Sequence, residues 1–148
     1  MKIRDATRRD LHGIVEIERL AFDNPWSLDA FVRELSLPFS RLIVATKSAN
    51  DDERLAGFLC RWLVADECHI LNVAVHPRVR RKGIANQLIA DTLAEARTKN
   101  AQVVTLEVRR SNLAARSLYR KLKFEERRLR RNYYGPGEDA IVMELELA

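Results

Sequence analysis

Cysteine and histidine are scarce in this chain of 148 residues, which contains two of the first and three of the second. Two cysteines cannot build a disulfide framework. Cys60 and Cys68 both lie in apolar stretches, where a small buried side chain is the usual role of this residue. The three histidines are scattered, without the paired spacing of zinc ligands, so we expect no metal site.

Long apolar runs are absent as well. No stretch of the sequence approaches the ~20 apolar residues that a helix needs to cross a bilayer. Residues 1–5 carry charges where a secretion signal would have its apolar segment. We therefore expect a cytoplasmic protein that does not associate with a membrane.

What the chain does have is the composition of one folded domain, which we expect to span residues 1–148. Its 47% of apolar and 32% of charged residues are typical of a globular protein that can bury a core. The net charge of +5 favours an anionic partner, but charge alone does not distinguish a coenzyme from RNA or an acidic protein. The arginines of residues 127–131 are interpreted as a solvated strand face rather than a nucleic-acid contact, and the composition leaves the oligomeric state open.

Apolar periodicity predicts seven strands and four helices in mixed order. A mixed order of this kind favours a single α/β domain built around one sheet. A polar turn is expected at residues 48–53, and N-caps at Asp10, Ser27 and Asn112. The predicted strands cover residues 2–6, 41–46, 55–64, 67–75, 103–108, 125–131 and 140–147, and the longest predicted helices cover 83–100 and 111–122.

A glycine turn flanked by cations is the most informative feature of the sequence. It lies between a predicted strand and a predicted helix, where unpaired backbone N–H groups and the helix dipole suit a phosphate or pyrophosphate. The turn lacks both the Gly-Lys-Ser/Thr of a P-loop and the three glycines of a dinucleotide fold. An ordinary basic loop before a surface helix is the alternative interpretation. The residues of the turn are Arg80, Arg81, Lys82, Gly83, Ile84, Ala85 and Asn86.

Three polar or aromatic residues further along the chain carry possible chemistry. Glu107 lies within an apolar strand, on the same face as Val103 and Thr105. If it is buried without a partner, its pKa should rise and make it a general base; if it lies at a strand end, it simply reaches water. Tyr119, on the following helix, is core filler or a functional phenol, and Asn112 is an N-cap or a ligand contact.

The glycine turn resembles the acetyl-coenzyme A signature of the GNAT acetyltransferases, Arg/Gln-x-x-Gly-x-Gly/Ala after a strand. More narrowly, the chain is similar to the RimI-type enzymes, which acetylate the N-terminal amine of an alanine-starting ribosomal protein. The similarity spans almost the whole chain, in segments that follow one another in the family's order. These segments are residues 24–27, 72–77, 106–109, 111–115, 118–119, 131–134 and 138–140, with Phe124 and Met143.

The resemblance implies a mixed, mostly antiparallel sheet that is splayed near Val75 and Val108, with helices on both faces. It also implies acetyl-coenzyme A as cosubstrate and direct attack by the amine in a ternary complex. Glu107 would be the proton acceptor and Tyr119 the proton donor to the departing thiolate. The implied coenzyme contacts are Val73, Ala74, Val75, Arg80, Arg81, Lys82, Gly83, Ile84, Ala85, Asn86, Asn112 and Tyr119, and the implied peptide contacts are Trp26, Tyr133 and Tyr134.

Two positions depart from the family's pattern. Ala85 replaces the commoner second glycine, which is tolerated if the residue keeps helical dihedral angles. Lys123 stands where glycine usually permits a left-handed exit from the helix, so the lysine must accept strain or leave the helix differently.

The expected substrate is a protein N-terminus, and the resemblance implies the N-terminal alanine of a small-subunit ribosomal protein. An α-amine with a pKa of about 7.7–8.0 is roughly one-tenth neutral at pH 7, whereas a lysine near about 10.4 costs on the order of 4–5 kcal/mol to deprotonate. A glutamate of modestly raised pKa is therefore sufficient for the α-amine. The alternatives are another amine (an internal lysine, a different N-terminus or a small molecule) and a non-catalytic module that binds coenzyme A or RNA.

Overall fold

The computed structural model describes residues 1–147, which form one seven-stranded sheet with four α-helices. The strand order is β1-β2-β3-β4-β5-β7-β6, and every neighbouring pair is antiparallel except β4 and β5. The predicted mixed α/β sheet is confirmed. The strands are β1 (Lys2–Asp5), β2 (Ser40–Ala49), β3 (Asp52–Val64), β4 (Glu67–Val75), β5 (Val103–Arg109), β6 (Glu125–Gly135) and β7 (Glu138–Glu146), and the helices are α1 (Leu11–Ala21), α2 (Leu28–Ser36), α3 (Ile84–Thr98) and α4 (Leu113–Lys121).

Helices cover both faces of the sheet, as expected. Successive residues of a strand point to opposite faces, and alternate residues of β2 and β3 belong to two separate apolar clusters. Leu59 packs in the cluster of α3 and α4, whereas Phe58 packs in the cluster of α1 and α2, where its ring meets Phe31 edge-on at 5.5 Å between centroids. Among residues 1–147, no helix combines the length and apolar character required to span a bilayer.

The sheet opens between β4 and β5. Their parallel pairing is limited to residues 67–70 of β4 and 103–106 of β5. Directly after Ile70, the register of β4 against β3 shifts, so that Leu71 is an extra residue between two paired positions. A bulge of this kind bends its strand. The expected splay is therefore present, but it begins at Ile70 and Leu106, earlier than Val75 and Val108.

Two of the three predicted helix caps are confirmed. The Ser27 side chain accepts the N–H of Ala30 at 3.2 Å, and the Asn112 side chain accepts the N–H of Ala115 at 3.1 Å. Asp10 lies at the start of α1, but its carboxylate accepts the N–H of Thr7 at 2.7 Å and two bonds from Arg4. It therefore closes the preceding turn and leaves the helix N-terminus uncapped.

The turn of the β2–β3 hairpin is shorter than the run of polar residues in the sequence predicts. The turn expected at residues 48–53 contains only Asn50 and Asp51 between β2 and β3, both at positive φ (53° and 66°). A two-residue turn with both residues left-handed matches the twist of the strands that it joins. The polar residues on either side continue the ladder, because an exposed ladder tolerates polar side chains.

The exit of α4 fixes the ring of Tyr119. The N–H of Phe124 donates to the carbonyl of Tyr119 at 3.0 Å, and the N–H of Lys123 donates to that of Arg120 at 2.9 Å. Lys123 has φ 79°, and the Tyr119 and Phe124 rings lie 5.8 Å apart. This is the Schellman arrangement that glycine favours. The lysine thus keeps the left-handed exit and accepts its strain.

Candidate active site

A cleft of about 330 Å³ lies where β4 and β5 separate. Six of the residues predicted for the site line it, and they come from both halves of the chain: Trp26, Val73, Glu107, Asn112, Tyr119 and Tyr134. Ala74, Val75, Tyr133 and the glycine turn do not line this cleft. The cleft is therefore the place where the predicted proton acceptor, the predicted proton donor and two of the predicted peptide contacts meet.

The Glu107 side chain is largely buried and has two hydrogen-bonding partners. It is 12% exposed, and its Oε2 lies 2.7 Å from Nε2 of His69. Its Oε1 accepts a longer bond of 3.3 Å from the Arg130 guanidinium. Burial alone would raise the pKa of Glu107, but the hydrogen bond and charge of His69, with Arg130 and Arg128, leave the pKa below its ordinary value.

The expectation of a raised pKa at Glu107 is therefore wrong. It assumed a carboxylate without a partner, whereas the fold places His69 beside it from the neighbouring strand. The carboxylate is consequently ionised throughout the neutral range, and it can accept a proton there. A lower pKa also makes Glu107 a weaker base than expected, which limits the kinds of amine that it can deprotonate.

The pKa of Tyr119 is shifted upward, in contrast to that of Glu107. The Tyr119 side chain is buried in the core cluster of α3 and α4, with 7% of the residue exposed at the cleft. Burial raises its pKa to about 12, so the phenol keeps its proton at neutral pH. An ionised carboxylate and a protonated phenol thus line the same cleft, the combination that acid–base chemistry requires.

The aromatic residues of the β6–β7 hairpin have different environments. The Arg109 guanidinium lies 4.3 Å above the ring of Tyr134, and Arg109 also pairs with Glu138. Burial raises the pKa of Tyr134, which lines the cleft. Tyr133 meets Tyr134 edge-on but is 47% exposed and lies outside the cleft. The structure thus brings Tyr134, but not Tyr133, to the site.

Glu18 and Asn72 are site residues that the sequence analysis did not identify as such. Glu18 is 1% exposed and lines the cleft, and it accepts the N–H of Trp26 at 2.9 Å and the side-chain amide of Asn72 at 2.6 Å. Burial raises the pKa of Glu18 despite these two donors. A signal was available, because Glu18 follows Ile14 by four residues and therefore interrupts the apolar face of α1.

The free edge of β4 lies beside this cleft. Residues 72–75 pair with β3 on one side, and the pairing of β4 with β5 has already ended at Ile70. The backbone groups of Val73, Ala74 and Val75 that point away from β3 are therefore available to an extended ligand, which could add to the sheet as a strand does.

The glycine turn offers a set of unpaired donors. In the part of the chain that the structure describes, none of the backbone N–H groups of residues 81–86 has an acceptor, and the first bond of the helix runs from Gln87 to Gly83 at 3.0 Å. Arg81 and Gly83 have φ of 65° and 75°, whereas Ala85 lies within α3 and keeps helical geometry. Ile84 is buried and anchors the turn. The arrangement fits a diphosphate.

The two thiols are unsuited to nucleophilic catalysis. Cys60 and Cys68 are both buried and free, in strands, as predicted. Burial raises the pKa of Cys60 to about 12 and that of Cys68 to about 11. Neither residue supplies a thiolate at neutral pH, so nothing in the site calls for a covalent acyl-enzyme.

Comparison with known proteins agrees with this geometry. The model of the acetyltransferase (GNAT) family matches residues 11–124. The [ribosomal protein bS18]-alanine N-acetyltransferase of Salmonella typhimurium is 35% identical over 94% of this chain and 93% of its own length, and the protein of that name from Escherichia coli K12 is 32% identical over the same shares. A crystal structure of the Escherichia coli ribosomal-protein-S18-alanine N-acetyltransferase superposes with a TM-score of 0.89, covering 99% of this chain and 94% of that one. The chain therefore belongs to the acetyltransferase (GNAT) family, whose members transfer an acetyl group from acetyl-coenzyme A.

Proposed function

We propose that the protein acetylates the α-amine of a protein N-terminus, the N-terminal alanine of a small-subunit ribosomal protein being its substrate. The observation that carries the proposal is the cleft between β4 and β5, where an ionised Glu107 and a protonated Tyr119 face the same space. The names of the Salmonella and Escherichia coli relatives support the choice of substrate.

Acetyl-coenzyme A fits the features around the cleft. The donors of residues 81–86 would hold its diphosphate, and the free edge of β4 at residues 73–75 would hold its extended arm. Asn112, whose side chain caps α4 at the cleft wall, would contact it as well. When bound, it supplies an acetyl group activated as a thioester. A backbone N–H of residues 73–75 would stabilise the oxyanion.

Glu107 accepts the proton of the attacking amine, directly or through a water. An α-amine has a pKa of about 7.7–8.0 and is already partly neutral at pH 7, so a carboxylate of lowered pKa suffices. A lysine amine costs on the order of 4–5 kcal/mol to deprotonate at pH 7, which this weak base offsets poorly. The lowered pKa of Glu107 therefore favours an N-terminal substrate more strongly than a raised one would.

Tyr119 acts on the departing sulfur. A thiol has a pKa of about 8.5, well below the phenol's value of about 12, so at equilibrium the proton stays on Tyr119. We therefore assign Tyr119 the role of a hydrogen-bond donor that stabilises the charge developing on sulfur. Complete proton transfer from this phenol to a free thiolate is uphill.

Trp26 and Tyr134 line the side of the cleft that would receive the peptide. The loop of Trp26 is held by Glu18, and Tyr134 is held beneath Arg109. The Trp26 ring lies 5.3 Å from that of Phe31 of α2, so each aromatic ring contacts an element other than its own, as a slot for a chain terminus requires. Tyr133, which is more exposed, would contact residues farther along the peptide.

The test is acetyl transfer to short peptides, followed by mass spectrometry. We expect transfer to a peptide that begins with alanine, weaker transfer to its methionine-starting version, and none to a version with a blocked N-terminus and an internal lysine. Preference for the lysine peptide or for a small amine would reassign the substrate. Failure to acetylate any amine while still binding acetyl-coenzyme A would identify a binding module.

A paired variant tests the assignment of the base. Glu107→Gln should lower kcat at pH 7 by about 10²-fold or more, the usual contribution of a general base, with little change in coenzyme affinity. Glu16→Gln, which changes an exposed carboxylate of α1 outside the cleft, is the matched control and should leave kcat unchanged. A Glu107→Gln variant as fast as the parent protein would remove Glu107 from the mechanism.

A further inference from the structure

The imidazole of His69 is the side chain in closest contact with Glu107, and the mechanism above does not use it. We infer that His69 is a positioning residue that orients Glu107 and adjusts its basicity, an inference that rests on the proposed function. The Nε2 of His69 lies 2.7 Å from Oε2 of Glu107, the length of a strong, charge-assisted hydrogen bond.

The sheet itself creates this contact. His69 pairs with Thr105 in the parallel segment of β4 and β5, and Glu107 follows Thr105 by two residues. Residues two apart in a strand share a face, so the His69 and Glu107 side chains project from the same face. His69 lies within the paired segment and Glu107 one residue beyond its end, where β5 is still held by β7 through the pair of Glu107 and Val142.

The two carboxylate oxygens of Glu107 have different surroundings. Oε2 is held by His69, whereas Oε1 has only the longer 3.3 Å bond from Arg130, whose side chain is 46% exposed. A ring that donates Nε2–H to Oε2 fixes the carboxylate and leaves Oε1 able to accept the amine proton. The His69 side chain is 29% exposed.

Side chains of β3 and β6 surround Glu107 and His69. Arg128 and Arg130 of β6 are charged at all relevant pH values. Burial raises the pKa of Tyr133 on the same strand, so this phenol stays neutral. Trp62, opposite His69 in β3, carries no charge.

Glu67, on the same face of β4 two residues before His69, is an exposed carboxylate. Histidine is the side chain that ordinarily titrates between about pH 5 and 8. A protonated ring brings a positive charge against Oε2, stabilises the carboxylate and makes it a weaker base. Protonation of an imidazole at this position would therefore lower turnover.

Glutamine separates the two functions of His69, because its side-chain amide donates a similar hydrogen bond and does not titrate. We expect His69→Ala to lower kcat by about tenfold or more, as loss of a hydrogen bond to a charged group predicts. His69→Gln should recover most of that loss at pH 8, and its kcat should fall less steeply than that of the parent toward pH 6. The titration of the substrate amine is common to all the proteins, so differences between the profiles belong to residue 69.

The control is His12→Gln, which changes an exposed histidine of α1 and should reproduce the parental pH profile. A His69→Ala variant with parental kcat and pH profile would overturn the inference, and so would His69→Gln and His69→Ala proteins that are equally impaired with the parental profile. If His69→Ala does not fold, the comparison of His69→Gln with the parent protein decides alone. Absence of α-amine acetylation by the parent protein would instead overturn the proposed function, and this inference with it.

Discussion

Glu18 of α1 and Asn72 of β4 are joined by a hydrogen bond of 2.6 Å between Oε1 and Nδ2. The other oxygen of the same carboxylate holds the N–H of Trp26 at 2.9 Å. One buried side chain thus connects a helix, the strand just after its bulge and the loop that leads into α2. These are three of the walls of the cleft, so the shape of the site depends on Glu18.

Replacing Glu18 with alanine should therefore destabilise the protein and the site together. The change leaves two donors, the amide of Asn72 and the N–H of Trp26, without their acceptor, at a cost of about 1–3 kcal/mol in the free energy of unfolding. Urea denaturation measures this loss, and peptide KM should rise. Glu16→Ala, an exposed site on the same helix, is the control and should change neither quantity. Equal losses from the two variants would contradict the role given to Glu18.

Glu18→Gln should change how stability depends on pH. Burial raises the pKa of Glu18 in the folded protein, although the N–H of Trp26 and the amide of Asn72 oppose it. A group whose folded pKa is raised contributes stability that is present below its unfolded pKa of about 4.3 and is lost as pH rises through the folded value. The parent protein should therefore lose stability relative to Glu18→Gln over that range, in urea denaturation at successive pH values. A difference that does not vary with pH would show that Glu18 is not titrating.

Removal of the Tyr119 hydroxyl should affect catalysis far more than folding. Tyr119→Phe keeps the ring contact with Phe124 and deletes only the donor to the departing sulfur. We expect kcat to fall by about 10²-fold with coenzyme affinity nearly unchanged. Because the pKa of Tyr119 is about 12, the parent protein should show no loss of turnover from this group up to about pH 10. Urea denaturation of Tyr119→Phe is the control for folding, and a parental kcat in this variant would refute the assignment.

The glycine turn can be tested with two glycines that have nearly the same φ angle. Gly83 and Gly137 have φ of 75° and 74°, and a methyl group at either position meets no atom within 4 Å. Alanine at each should thus cost about 1–2 kcal/mol of stability from the left-handed backbone alone. Only Gly83→Ala should also weaken acetyl-coenzyme A binding, by about tenfold if the bound turn must retain that strained geometry. Calorimetric titration of the coenzyme distinguishes the two, and equal affinities would place the diphosphate elsewhere.

Lys123→Gly should stabilise the protein. Lys123 holds φ 79° at the end of α4, and a left-handed conformation costs an ordinary residue about 1–2 kcal/mol. The greater freedom of glycine in the unfolded chain offsets part of the gain, so we expect about 0.5–1 kcal/mol and a Tm higher by a few degrees. Lys121→Gly, inside the same helix, should lower the Tm instead. A destabilised Lys123→Gly would show that the lysine side chain makes a compensating contact.

Local signals in the sequence identified the elements well. Ser27 and Asn112 cap their helices because a short side chain with an acceptor, placed before an apolar periodic stretch, satisfies the free N–H groups wherever that helix packs. Local rules failed where a nearby group outside the predicted element competed for the same side chain or backbone. Asp10 pairs with Arg4 and Thr7 instead of capping α1. The β2–β3 turn contains only Asn50 and Asp51, because the polar residues on either side of them pair across the two strands.

The sequence by itself determined the order of the elements, the left-handed glycine turn and the kinds of residue that meet at the cleft, because these follow from periodicity and from conformations open to few residues. Only the tertiary structure decided where the sheet opens and how the carboxylates are held. The pairing of β4 with β5 ends beside the bulge at Leu71. The sheet places His69 against Glu107, and the packing of α1 on β4 places Glu18 against Asn72. The pKa of a buried carboxylate depends on partners within a few ångströms, and His69 and Glu107 are 38 residues apart in the chain.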